Sequence, residues 1–258
     1  MPEYATRIEK PPLPREAPTP IICGPLKTAR LGATLGIDLG FEEPALSVSR
    51  DNRMPRASVV ITTTARNVIW LSKAGEKVES IAVYGSRFDP TLHPDFREIT
   101  GYLRDLRNKW FPKAKLWLQS EDPHFDIPNT RLALGVFDRV LVRFEWGTLK
   151  SFTGITGRKG PELAMIQSNL THLESLVVQA RFGKSEGGDN SVPAEVKAWL
   201  KRMAEIRPRE IHIPGADAKS ARAKFKSASK TRLSEIATEA TEKAGMRVTI
   251  CSSESILG

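Results

Sequence analysis

The residue types that most often hold metals or form covalent intermediates are few and scattered in this sequence. Its two cysteines, Cys23 and Cys251, cannot build a disulfide framework, a four-cysteine zinc site or a three-cysteine cluster site. The four histidines lie far apart, and neither an HExxH nor a CxxC spacing occurs. We therefore expect no metal site, and the sequence leaves the catalytic residues unknown.

A second set of polar residues falls where short β-rich runs end. Arg143 and Glu145 lie two positions apart, so they share one face of a strand. A buried polar group without a partner costs about 1–3 kcal/mol, so both residues need partners. They form either a polar site in a barrel mouth or a structural ion-pair network. The residues that we expect to bind a ligand are Asp89, Pro90, Ser120, Arg143, Glu145 and Gln179.

The scaffold that would position these residues is an alternation of strands and helices. Strands are predicted at Leu35–Leu39, Ser80–Tyr84, Lys115–Gln119, Arg139–Glu145, Leu176–Phe182, Glu210–Ile213 and Arg247–Cys251. Apolar stripes at helical spacing lie between most of these strands. The clearest helix is predicted to begin at Pro94, another follows Pro193, and the last is predicted to end at Gly245.

Strand followed by helix, repeated about six times, predicts an α/β fold with a mostly parallel sheet and right-handed crossovers. The sheet could be open and doubly wound, or it could curl into a complete or partial barrel. In both cases ligands bind at the C-terminal ends of the strands. No GxGxxG or GxxxxGK[ST] motif follows a strand, so the sequence does not indicate a dinucleotide or P-loop site.

The amino-acid composition and the net charge indicate which classes of partner the chain could bind. The chain has 258 residues, of which 40% are hydrophobic and 27% are charged, as in ordinary globular proteins. Its net charge of +9 is compatible with an RNA partner. The basic region Lys219–Arg232 could contact RNA phosphates, although a solvated surface explains the same charge. Phe225 is its single aromatic residue, so base stacking receives little support.

The chain is expected to form one domain over residues 21–258, preceded by a flexible proline-rich arm over residues 1–20. This arm carries acidic residues and six prolines where a signal peptide needs an apolar stretch. No apolar run reaches the length of about 18 residues that a membrane span requires. We therefore expect a cytoplasmic protein without a membrane partner.

Two segments carry a resemblance to a known family. Cys23–Leu39 (CGPLKTARLGATLGIDL) resembles the GPxxSRRLGxSLGIDL opening of one branch of the radical S-adenosylmethionine (radical SAM) enzymes, the wyosine-type Fe–S oxidoreductases. Asp89–Phe96 (DPTLHPDF) is similar to the segment that continues that family's Gly-Glu-Pro motif. The resemblance spans about residues 22–251 and implies a partial (β/α)₆, TIM-like barrel. Because the branch includes tRNA-modifying enzymes, the resemblance also makes RNA a possible partner.

The family's cluster motif is degenerate in this chain. Radical SAM enzymes hold a [4Fe–4S] cluster through Cys-x3-Cys-x2-Cys after the first strand, and the corresponding positions are Ala45, Ser49 and Asn52. None of these side chains replaces a soft thiolate. Phe88-Asp89-Pro90 stands in place of Gly-Glu-Pro. A lysine and an aspartate often found on the fourth strand correspond to Arg143 and Glu145.

Two functions follow from this resemblance. In the first, the chain is a radical-SAM-like protein without a cluster, and it binds a ligand or a protein partner such as a catalytic radical enzyme. In the second, it is a cluster-free enzyme that uses the barrel mouth, binding S-adenosylmethionine or acting on RNA. A [4Fe–4S] cluster is not expected, and S-adenosylmethionine is a possible ligand.

Overall fold

The main element of the fold is one curled sheet. The computed structural model describes residues 21–28, 30–40, 54–121, 124–125, 127–217 and 225–251. Within these residues the sheet has the strand order β1-β2-β3-β4-β5-β6-β9-β11. Its strands are β1 (Ile22–Thr28), β2 (Gly32–Asp38), β3 (Ser80–Tyr84), β4 (Lys115–Ser120), β5 (Arg139–Arg143), β6 (Leu176–Gln179), β9 (Glu210–Pro214) and β11 (Val248–Cys251). All neighbours are parallel except β1 and β2, so the predicted mostly parallel sheet is confirmed.

Helices follow most of the parallel strands and cover one face of the sheet. They are α1 (Ala57–Ala74), α2 (Phe96–Trp110), α3 (Pro128–Leu134), α4 (Leu149–Thr156), α5 (Gly160–Leu170), α6 (Pro193–Ile206) and α7 (Lys230–Ala244). Their buried apolar residues pack with alternate residues of the strands, including Val140 and Val142 of β5 and Val178 of β6. This covered face contains the core, because it buries the apolar surface that contributes most to folding.

The other face of the sheet curls around an interior. The rings of Trp117 on β4 and His212 on β9 have centroids 6.5 Å apart, although two strands lie between β4 and β9 in the sheet. A flat sheet would keep these strands about 14 Å apart. The inner face therefore turns toward itself, and the predicted partial barrel is confirmed while the open, doubly wound alternative is wrong.

Two strands end earlier in the structure than the sequence predicts. The run Leu176–Phe182 gives a strand only to Gln179, and Arg139–Glu145 gives one only to Arg143. Sequence patterning did not predict the antiparallel strand β1 or the helix α1. A small second sheet was also missed; it contains β7 (Gly183–Ser185), β8 (Gly188–Asp189) and β10 (Lys226–Ser227).

The observed ends of the helices agree better with the sequence-based predictions than the ends of the strands do. α6 begins at Pro193 and α7 is ended by Gly245 in the left-handed conformation, with φ 62°, as predicted. α2 begins at Phe96, two residues after the predicted Pro94. None of the helices in the described ranges is long and apolar enough to cross a bilayer. The predicted arm over residues 1–20 lies outside the described residues.

Candidate functional site

Polar side chains collect on the inner face of the barrel, at the C-terminal ends of β5 and β6. In the parallel register, Arg143 pairs with Gln179, and Gln179 pairs with His212 on β9. Paired residues of neighbouring strands share a face of the sheet. Two of the six predicted binding residues, Arg143 and Gln179, are therefore direct neighbours although 36 positions separate them in the sequence.

Gln179 combines burial with an unused hydrogen-bond donor. Its side chain is 7% exposed. In the described part of the chain, no hydrogen-bond acceptor reaches its Nε2 atom. A buried amide N–H without a partner costs about 1–3 kcal/mol, and such groups are rare in folded proteins. This donor is therefore the feature of the inner face that most clearly indicates a ligand.

Arg143 is held by an ion pair at the rim of the barrel. Its Nη1 atom lies 2.6 Å from Oε2 of Glu121, and the two side chains are 18% and 66% exposed. Because Glu121 is exposed, solvent weakens this pair. The Nε atom of Arg143 is buried and has no hydrogen-bond partner among the described residues. The guanidinium thus keeps a donor beside Gln179.

Glu145 lies just past the end of β5 and is 1% exposed. Its Oε2 atom accepts a hydrogen bond of 3.3 Å from the backbone N–H of Arg181. The Asn190 side chain donates to the carbonyls of Glu145 and Arg181 and accepts from the Gly183 N–H. Glu145 therefore belongs to a hydrogen-bonded junction that joins the chain after β5 to the chain after β6.

Asp89, Pro90 and Ser120 come together on the other side of the rim, after β3 and β4. Asp89 Oδ1 accepts from the backbone N–H and the hydroxyl of Thr91, at 3.0 and 2.5 Å. Its Oδ2 accepts from the Ser120 hydroxyl at 2.7 Å. Pro90 is the buried first residue of a short 3-10 turn, Pro90–Leu92, that Asp89 caps. The Asp89 carboxylate therefore stabilises this turn and its contact with β4.

Asp38, at the end of β2, was missed as an organiser of the mouth. It is 3% exposed, and its Oδ1 atom accepts from the backbone N–H groups of Gly40 and Ser86, each at 3.0 Å. Gly40 and Gly85 pack so closely that a Cβ on either would lie 2.0 or 1.8 Å from the carbonyl oxygen of Phe88. The loops after β2 and β3 therefore meet without room for side chains.

His212 was also missed, because in the sequence it is an isolated histidine. It is 3% exposed, and its Nδ1 atom accepts a hydrogen bond of 3.1 Å from Nη1 of Arg30 in the β1–β2 connection. Burial, followed by the Arg30 charge, lowers the pKa of His212 to about 3. The imidazole is therefore neutral, with its proton on Nε2, which lies 3.6 Å from Oε2 of Glu210.

The two cysteines lie on the two edge strands of the sheet, β1 and β11. Cys23 Sγ is 3.5 Å from the Tyr84 hydroxyl, and burial, then this contact, raises the pKa of Tyr84. Cys251 is 6% exposed, and burial raises the pKa of its thiol, although the nearby Arg30 opposes the shift. In the described ranges, no group of three or more His, Cys, Asp or Glu side chains could hold a metal ion.

Other predicted positions contribute less to the site. Ala45, Ser49 and Asn52 lie outside the described residues, as do residues 219–224 of the basic region. In the described part of that region, Arg232 donates to the Ser191 carbonyl and to Glu235, so it stabilises the fold locally. His93 is buried and lies 2.7 Å from the Pro55 carbonyl, in a structural contact.

Comparison with known proteins connects this arrangement to one fold. No family model and no curated protein matches the sequence. Among solved structures, the chain is similar to Streptococcus suis SuiB bound to S-adenosylmethionine, with 12% identity and a TM-score of 0.53, over 78% of this chain and 44% of that one. It is also similar to the Escherichia coli radical SAM enzyme coproporphyrinogen III oxidase (HemN), with 14% identity and a TM-score of 0.51, over 81% of this chain and 52% of that one.

The chain has the radical SAM fold. It spans about half the length of SuiB and of HemN. Within the radical SAM fold, Arg143 and Gln179 lie at the C-terminal ends of parallel strands, where α/β barrels bind their ligands. The likeness therefore agrees with the position of the buried donors described above.

Proposed function

We propose that this chain is a radical-SAM-like barrel that binds a ligand at its mouth and has lost the [4Fe–4S] cluster. The observation that carries the proposal is the buried Nε2 donor of Gln179, which no acceptor in the described ranges satisfies. A ligand acceptor at this position would recover the free energy that the apo protein loses by burying the donor.

The chemistry of the available donors supports the loss of the cluster. A three-cysteine site needs three thiolates, and the whole chain has two cysteines. Cys23 and Cys251 lie on opposite edge strands of the sheet. The methyl of Ala45, the hydroxyl of Ser49 and the amide of Asn52 would not ligate iron as thiolates do. The residues of this chain therefore do not fit such a cluster.

The donors at the mouth favour a ligand that is rich in hydrogen-bond acceptors. Gln179 and Arg143 offer N–H groups side by side, and a guanidinium prefers a carboxylate. S-adenosylmethionine has a carboxylate, ribose oxygens and adenine nitrogens, so its acceptors fit these donors. SuiB was solved with this molecule bound. In our proposal, Gln179 and Arg143 hold the ligand, and the turn of Asp89, Pro90 and Ser120 with the Glu145 junction frames it.

Calorimetric titration with S-adenosylmethionine tests this assignment. Gln179→Met keeps the length of the side chain but removes the amide. We expect it to weaken binding about 3- to 10-fold, the effect of one hydrogen bond of about 1 kcal/mol. Arg143→Met should weaken binding further, because a charged donor is lost.

Gln167→Met is the matched control. The Gln167 amide is hydrogen-bonded to Glu205 and Arg202 on the outer helices, so its loss should leave the affinity unchanged. Equal affinities for wild type and Gln179→Met would contradict the proposed site. Conversion of S-adenosylmethionine to a product in the same samples would favour the cluster-free enzyme over a binding protein.

A further inference from the structure

A cleft rich in arginine lies at the other end of the barrel from the mouth. It opens where α6 and α7 end and β9 and β11 begin, and its volume is about 670 Å³. The two walls are held together by a hydrogen bond of 2.8 Å from the Ile211 N–H to the Arg247 carbonyl. The residues that line it include Met203, Arg207, Arg209, Gly245, Met246 and Arg247.

The charge of this cleft is uncompensated. Three of its lining residues, Arg207, Arg209 and Arg247, are exposed arginines, and no acidic residue of the described ranges lines the cleft. In the described part of the chain, none of these three side chains makes an ion pair or a hydrogen bond. Like charges repel one another, so an arrangement of this kind is favourable mainly when an anion binds.

The backbone of Arg207 gives a second, independent indication. Arg207 ends α6 with φ 55°, and it is the single non-glycine residue with positive φ among the residues that the structure describes. The helices α1, α4 and α7 end in the same conformation at Gly75, Gly157 and Gly245. A side chain is unfavourable in this conformation. Strained positions of this kind often persist where a side chain has a function.

The surroundings of the cleft limit where an anion could bind. On the far side of Arg207, a neighbouring groove contains the acidic residues Glu174 and Glu205. Glu210 follows Arg209, but its carboxylate lies 3.6 Å from His212 on the inner face. Positive charge is therefore concentrated between Arg207, Arg209 and Arg247.

We propose that this cleft binds phosphate groups, supplied by an RNA backbone or by a small phosphorylated compound. Guanidinium groups match phosphate oxygens with paired hydrogen bonds. No aromatic residue among those described lines the cleft as a surface on which a base could stack, so recognition is through phosphate. This site is independent of the barrel mouth and of the ligand proposed there.

The test compares two triple variants that remove the same charge. Arg207→Gly, Arg209→Gln and Arg247→Gln together remove the cleft charge. Arg56→Gln, Arg66→Gln and Arg97→Gln together remove three exposed arginines at the start of α1, in α1 and in α2. Binding of a fluorescently labelled single-stranded RNA is measured by anisotropy over a salt series, and binding of inorganic pyrophosphate is measured by calorimetry. Thermal unfolding confirms that each variant is folded.

We expect the cleft variant to bind at least about tenfold more weakly than the control variant. With RNA, the slope of log K against log salt should fall by about 2, since each lost single-strand phosphate contact contributes about 0.7. A loss with RNA alone assigns the phosphates to a polynucleotide, and a loss with pyrophosphate alone assigns them to a small compound. Equal affinities of the two variants for both probes would overturn the proposal.

If the cleft triple variant unfolds at a low temperature, a double variant provides a second test. It combines Arg209→Gln with Arg247→Gln and leaves Arg207 at the end of α6 unchanged. This pair should lower the RNA salt slope by about 1.4. An unchanged RNA salt slope together with an unchanged affinity for pyrophosphate in this folded double variant would equally overturn the proposal.

Discussion

The two sides of the barrel mouth use their polar residues differently. After β3 and β4, Asp89 accepts hydrogen bonds from Thr91 and Ser120, so the polar groups of that side satisfy one another. After β5 and β6, Gln179 keeps a buried donor that no described residue satisfies. Polar residues at strand ends are thus not equivalent. Those of the first side stabilise the fold, whereas in our proposal Gln179 and Arg143 of the second side bind a ligand.

The greatest loss of stability should come from a change on the first side of the mouth, after β3 and β4. Asp89→Ala removes an acceptor from three donors and leaves the Ser120 hydroxyl and the Thr91 N–H without their partner. We expect it to lower the free energy of unfolding by about 3 kcal/mol, measured by urea denaturation. Asp105→Ala, at an exposed position whose one partner among the described residues is Arg104, should change it by less than about 0.5 kcal/mol. Equal effects of the two variants would show that the Asp89 turn is not held by its carboxylate.

A pH effect of intermediate size should come from His212, the neighbour of Gln179. The folded-state pKa of about 3 lies below the usual 6.5, so between these values the unfolded chain binds more protons. Stability is therefore complete above about pH 6.5 and declines as the pH falls toward 3. From pH 7 to pH 5, His212 should cost about 2 kcal/mol of unfolding free energy.

Urea denaturation at both pH values checks this prediction. Burial also lowers the pKa of His93, which adds a loss of the same sign in every variant. His212→Gln should therefore show a clearly smaller decrease between pH 7 and pH 5 than wild type. His172→Gln, at an exposed position, should keep the wild-type decrease. A wild-type decrease in His212→Gln would mean that His212 is not neutral and buried as described.

The weakest change in stability is expected on the second side of the mouth, after β5 and β6. Gln179→Met removes a buried donor without a described partner, so the stability of the ligand-free protein should stay within about 0.5 kcal/mol of wild type or rise. Gln167→Met removes an amide with two partners and should cost about 1 kcal/mol. Thermal unfolding without ligand measures both. A larger loss from Gln179→Met than from Gln167→Met would assign Gln179 a structural role.

The sequence predicted the features that depend on local patterns. The β-rich runs and amphipathic helices identified the seven strands of the main sheet that pair in parallel, and the end of α7 at Gly245. β1 was missed because Gly24-Pro25 reads as a turn, and proline is disfavoured inside a strand. α1 was missed because Val59–Thr64 is β-branched throughout, and tertiary packing overrides its weak helix propensity.

The site was predicted only in outline. The strand ends predicted Arg143 and Gln179 as binding residues, and the structure places these two residues side by side on neighbouring strands. On one side of the rim the polar groups have hydrogen-bond partners, and on the other side some do not. This difference depends on distances between residues that are remote in sequence. Arg30 and His212 are 182 positions apart, and no periodicity connects them. Contacts of this kind follow from the curl of the sheet and not from residue spacing.

The proposed loss of the cluster from this radical SAM fold is tested most directly by measuring iron and acid-labile sulfide. The protein is purified anaerobically and incubated with iron and sulfide under reconstituting conditions, and unbound metal is removed. With two cysteines in the chain, we expect no stoichiometric iron or sulfide to remain bound. Retention of about four iron and four sulfide ions per chain, the content of one [4Fe–4S] cluster, would contradict the account.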